Sequence, residues 1–138
     1  MTARLPLPRP GAALAIGCIY FAGIFTLAFA LGVARTVFVA PRLGAAAGVL
    51  LEIPVVLIAS WLLARRLVRQ RSLAFVDLAA IGAIALALTM VSEAALAGVI
   101  RGQGLAEWAT DLATPLGLVG LAGQLGFAMM PLLAGGRK

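Results

Sequence analysis

Four polar side chains set in apolar surroundings carry most of the chemistry this sequence could do: Arg35, Glu52, Glu93 and Gln124. Each lies in a different hydrophobic stretch, as RTVFVAP, LLEIPVV, MVSEAAL and LAGQLGF. In a low-dielectric setting such a set can do one of two things. It can close an ion-paired, hydrogen-bonded layer that fixes the register of the elements carrying it. It can also hold a proton or a cation, because two carboxyls against one deep Arg leave one carboxyl without a counter-charge. Arg42 is a candidate additional partner for that second carboxylate, which would favour the structural layer. Other chemistries lack their residues. The chain has no His and one Cys, Cys18, so a metal centre, an intrachain disulfide and a His-dependent nucleophile are not expected, nor is a cofactor. Arg35 and Arg42 could grip a lipid phosphate, but no nucleophile accompanies them, no catalytic residue stands out, and an enzyme is disfavoured.

The elements that must position these groups follow from hydropathy. Of 138 residues, 63% are hydrophobic and 12% charged, against about 45–50% and about 25% in ordinary globular proteins. That excludes a soluble domain, and it excludes disorder, which is poor in apolar residues. Four apolar stretches, about 11–39, 44–64, 73–100 and 115–134, each reach the roughly 20 residues a membrane-crossing helix needs. The expected fold is all-α: one domain over 1–138, an antiparallel up-down bundle of four transmembrane helices whose short loops make sequential helices neighbours. In the third connection Leu105, Trp108, Ala109 and Leu112 share one helical face. They give either a short interfacial helix with Trp108 as anchor or a loop packed on the bundle. Ser72 is a candidate N-cap for the third span, and Thr114-Pro115 opens the fourth. Pro54 should kink the second span, and Pro131 marks the end of the fourth.

The net charge of +6 is distributed as topology signals. With the N-terminus inside, Arg4, Arg9, Arg65, Arg66, Arg69, Arg71, Arg137 and Lys138 face the cytoplasm and Arg35, Arg42 and Arg101 the other side. Both termini are therefore expected inside, and the small size and compact loops point to a bacterial inner membrane. The basic residues form short clusters rather than a stripe, so nucleic acid is not an expected partner. The first stretch is too long for the 7–15-residue core of a cleaved signal peptide. Asp77 is expected to pair with Arg65, Arg69 or Arg71 at the inner interface, and Trp61 to anchor there.

Measured from the outer ends of their spans, at about 1.5 Å per residue, Arg35, Glu52, Glu93 and Gln124 lie roughly 6, 12, 10 and 13 Å deep, so they could meet in one layer. Small residues on the same helical faces let helices approach closely. Gly44 and Gly48 form a GxxxG on the second span, and Gly117, Gly120, Gly123 and Gly126 recur along the fourth as a candidate docking face for a second copy or a larger membrane complex.

At RTVFVAPRLG, LLEIPVVLIASW, MVSEAALAGV and GLAGQLGFAMMP, including Arg35, Pro41, Arg42, Glu52, Pro54, Trp61, Glu93 and Gln124, the chain resembles a family of small four-helix inner-membrane proteins from proteobacteria. The likeness covers most of the chain. It implies fold and membrane, and the family carries no assigned activity to transfer. Small multidrug carriers share the four-helix size but place their Glu in the first span, where this chain has none. The leading expectation is an accessory or interaction subunit with a buried Arg-Glu-Glu-Gln layer. The alternative is a proton-coupled carrier of a small molecule or cation, working as a dimer, with Glu52 and Glu93 as the charge-bearing groups.

Overall fold

The computed structural model describes residues 7–135. Arg4, Arg137 and Lys138, which enter the charge argument above, lie outside them. Among the described residues the chain is helical throughout its ordered elements and forms no strand. Helix α1 (Pro10–Ala34) runs through a π-helical turn (Arg35–Val39) into the short α2 (Ala40–Leu43), followed by α3 (Ala45–Val68), α4 (Phe75–Arg101), α5 (Leu105–Leu112) and α6 (Pro115–Gly135). Among the described residues four segments are long and apolar enough to cross a membrane: Pro10–Leu43, Ala45–Val68, Phe75–Arg101 and Pro115–Gly135. The protein is a multi-pass membrane protein built as a helical bundle.

Local chemistry sets the ends of these elements. Pro10 opens α1, where its missing N–H costs nothing. Gly44 breaks the chain between α2 and α3 at φ +85°, a conformation costly for any residue with a Cβ. It is a hinge, so the expected GxxxG is not a helix-packing motif at that position. Gly102 ends α4 at φ +65°, and its N–H bonds the carbonyl of Gly98. The third connection does form a helix, α5. Thr114 caps α6 as expected, accepting the N–H of Gly117 at 3.1 Å.

Two expectations at the start of α4 need correction. Ser72 is not the cap, since the helix begins at Phe75. Asp77 forms no ion pair with Arg65, Arg69 or Arg71 among the described residues. It is buried, and its carboxylate accepts the backbone N–H of Ala74 (3.0 Å) and of Arg9 (2.8 Å). Helix starts leave backbone donors unsatisfied, and a carboxylate is favoured there by the helix dipole. One side chain therefore serves the starts of both α1 and α4.

That bond also fixes topology. It places the starts of α1 and α4 at one end of the bundle, and Gly135 against Leu78 brings the end of α6 there too. Around the bundle the order is α1, α3, α6, α4. Helices α3 and α4, joined by the Arg-rich loop, lie across the diagonal instead of side by side, which corrects the expectation of sequential neighbours. Residues 69–74 can reach roughly 20 Å when extended, and the diagonal of a bundle with helices 8–10 Å apart is only about 11–14 Å. As a result α1 and α4 run parallel, as do α3 and α6.

The core sits in the half nearer the basic loop. Gly82 presses on the backbone of Ala128, and Gly17 receives Ile81 and Ile84 of α4. At the centre, Tyr20 is fully buried and stacks on Phe127, with ring centroids 4.8 Å apart. Its hydroxyl donates to the Phe127 carbonyl at 2.7 Å. Pro131 lies inside α6 rather than at its end, and is buried. Having no N–H, it cannot bond the carbonyl four residues back, which is that of Phe127. Tyr20 supplies the missing donor from another helix, as a membrane interior demands.

A polar cavity between the far halves of the helices

The first pair is built around a glycine. Arg35 opens the π-helical turn, and its side chain crosses to α3 over Gly48. A Cβ on Gly48 would lie 2.6 Å from Arg35 Cγ and 2.9 Å from Cδ, so only glycine leaves this path open. Glu52 stands one turn further along the same face of α3. Its Oε2 is 3.1 Å from Arg35 Nε. The second pair joins α4 to α6: Gln124 Nε2 donates to Glu93 Oε1 at 2.7 Å. The four side chains thus form one ion pair and one hydrogen-bonded pair.

Both pairs face one cavity of about 610 Å³ between the far halves of α1, α3, α4 and α6. Thr89 and Phe127 form its floor, the latter being the ring stacked on Tyr20. Trp108 and Leu112 of α5 border its far end. All four polar groups are half-buried, because they look into this space instead of being sealed between helices.

Asp111 organises the mouth. Its Oδ2 accepts Gln103 Nε2 at 2.8 Å and lies 3.9 Å from Arg101 Nη1. The sequence reading missed this cluster. Its signal was present in the polar residues of RGQGLAEWATD, but their approach depends on the reversal of the chain at Gly102. Trp108 is half-buried and borders the cavity, while Leu105 on the same helix is exposed.

Arg42 does not balance the second carboxylate. It is exposed, and its Nη1 donates to the Phe38 carbonyl at 2.7 Å, one turn back on its own helix. Beyond the π-helical turn the side chain at position 42 points away from the cavity that Arg35 enters. The four glycines of α6 have separate neighbours. Gly123 meets Ile53 and Gly126 meets Leu57, both on α3, Gly117 abuts Asp111 and Leu112, and Gly120 borders the cavity with nothing within 4 Å.

No family model, curated protein or solved structure matches this chain. Its chemistry rests on its own geometry. Two cations (Arg35, Arg101) and three carboxylates (Glu52, Glu93, Asp111) line the cavity. Arg35 is engaged by Glu52 and Arg101 lies beside Asp111, so among the described residues Glu93 has an amide partner and no cation. The arrangement can hold one positive charge, as a proton or a bound cation.

Proposed function

We propose that this is a small protein of the bacterial inner membrane, with both termini cytoplasmic, whose outer-half cavity binds a small cation or proton at Glu93. The observation that carries the reading is a carboxylate without a cationic partner among the described residues, lining a roughly 610 Å³ cavity between membrane-crossing helices. Ligand pockets commonly span about 300–1,000 Å³ and combine apolar walls with a few convergent polar groups. Ionisable residues within spans mark ion and substrate paths. Orientation is supported by Arg9, Arg65, Arg66, Arg69 and Arg71 at one end of the bundle against Arg42 and Arg101 at the other. The carrier reading, with two copies acting together, thereby moves ahead of the accessory one. Membership in the proteobacterial four-helix family belongs to the same proposal.

The test is cation binding by the purified chain in lipid nanodiscs, with decylammonium as probe and protein-free nanodiscs as the reference. Binding above the reference that falls at least tenfold in Glu93→Gln is the expected result. Glutamine can keep the contact with Gln124, so the variant removes charge and little else. Binding that does not exceed the protein-free reference, with no Glu93-dependent proton uptake beside it, or binding that survives Glu93→Gln unchanged, overturns the reading.

One observation favours an accessory subunit instead. Both polar pairs are closed within the chain and tie α1 to α3 and α4 to α6, as a purely structural layer would. On that reading a mild-detergent pull-down returns a larger membrane complex in fixed ratio, and the cavity binds no cation.

A further inference from the structure

We infer that the cavity is specific for a lipophilic primary ammonium, an N–H-bearing cation on a hydrocarbon chain, and discriminates against quaternary ammonium. This deepens the cation reading above and rests on it. The reason lies in which atoms around Glu93 still need a donor. Gln124 spends its Nε2 on Glu93 Oε1. Its own Oε1 is buried and no donor of the described residues bonds it. Glu93 Oε2 likewise accepts no hydrogen bond from the described residues, and Glu93 lines the same cavity. Two acceptors on adjacent groups, one of them charged, therefore stand together without donors. The nearby cations do not fill the role, because Arg35 reaches Glu52 and Arg101 lies beside Asp111.

A bare charge would answer Glu93 but not Gln124. A buried acceptor left without a donor is costly, and a site built to bond an N–H rejects an analogue lacking it far more strongly than it rejects a change of size. A primary ammonium offers three N–H donors from one nitrogen, enough for Glu93 Oε2 and Gln124 Oε1 together. A trimethylammonium carries the same charge with no N–H and leaves Gln124 Oε1 unsatisfied.

The hydrocarbon chain has a place as well. The rest of the wall is apolar, with Phe25, Leu96, Leu121 and Phe127 among its residues. Helices α1 and α4 run in parallel register, with Arg9 beside Asp77 and Gly17 beside Ile84. Carried outward on that register, Phe29 comes level with the turn Leu96–Ile100. Phe29 and Ile100 both line the cavity and are both exposed, 47% and 65%. Each of these two side chains belongs both to the cavity wall and to the lipid-facing surface, and an alkyl chain whose head sits at Glu93 has apolar side chains to follow outward along them.

The experiment compares decylammonium with decyltrimethylammonium, which share a chain and a charge and differ in N–H donors. Both are titrated against wild-type chain in nanodiscs, corrected for partition into protein-free nanodiscs. Decylammonium binding at least tenfold tighter is expected, and Gln124→Leu should shrink that ratio towards one while decyltrimethylammonium affinity stays within about threefold. Equal affinity of the two amines for the wild type overturns this inference and leaves the cation reading standing. Failure of both amines to exceed the protein-free reference, with no Glu93-dependent proton uptake, overturns both. Glu93-dependent proton uptake with neither amine bound overturns the inference in favour of a proton site. The wild-type comparison decides the matter even if the variant does not fold.

Discussion

At Phe127 the last membrane-crossing helix lacks the hydrogen bond that residue 131 would normally supply, since Pro131 has no N–H. The Tyr20 hydroxyl fills that gap from the first helix. Two residues 111 positions apart in sequence numbering are thereby one structural device. Tyr20→Phe keeps the ring stack but strands a buried carbonyl, and should destabilise the bundle by about 1–3 kcal/mol. In a Pro131→Ala background the helix can supply its own N–H, so the same Tyr20→Phe change should cost clearly less. Reversible unfolding in detergent micelles across the four proteins checks this. Equal costs in both backgrounds would remove the link between the tyrosine and the proline. The glycine at position 48 has a comparable hidden role. Its spacing to Gly44 suggests helix packing, yet it serves as the track for the stem of Arg35.

Among the elements, α4 is the most revealing, because its start is held by a polar group that sequence spacing assigns elsewhere. Asp77 lies among Arg65, Arg69 and Arg71 in hydropathy logic, and a surface ion pair is the obvious reading. Burial makes backbone donors more demanding than charges that water can solvate, so the carboxylate goes to the amides of Ala74 and Arg9. Asp77→Ala should cost about 1–2 kcal/mol, the usual range for a lost cap. Amide exchange should speed up at Arg9 and Ala74, whereas Arg69→Gln and Arg71→Gln should leave both amides unchanged. Unaltered exchange in Asp77→Ala would show that the carboxylate does not hold the two helix starts together. At its other end α4 stops at Gly102, which turns the chain so that α5 can follow and Asp111 can meet Gln103.

On the scale of the whole molecule, charge asymmetry and helix order are separate matters with separate tests. The proposed orientation puts the loop of Arg69 and Arg71 in the cytoplasm and α5 outside. With Cys18 replaced by Ser, a cysteine introduced at Gln70 should react with a membrane-impermeant maleimide only after cells are opened, and one at Glu107 should react in intact cells. The reverse pattern would invert the assignment. Sequence by itself determined what depends on composition and on local periodicity: the number of membrane crossings, the all-helical class and the polar group in each crossing, while RGQGLAEWATD stayed open between a helix and a loop. Those properties belong to segments of about 20 residues and survive any rearrangement of the segments. Tertiary structure alone decided who pairs with whom. Arg35 with Glu52 and Glu93 with Gln124 are two of the pairings that four inward-facing groups allow, and the choice follows from the order α1, α3, α6, α4 around the bundle. That order was invisible because a six-residue loop reaches an adjacent helix and a diagonal one equally well. The cavity was invisible for the same reason: empty space is a property of how helices diverge, and no residue encodes it singly.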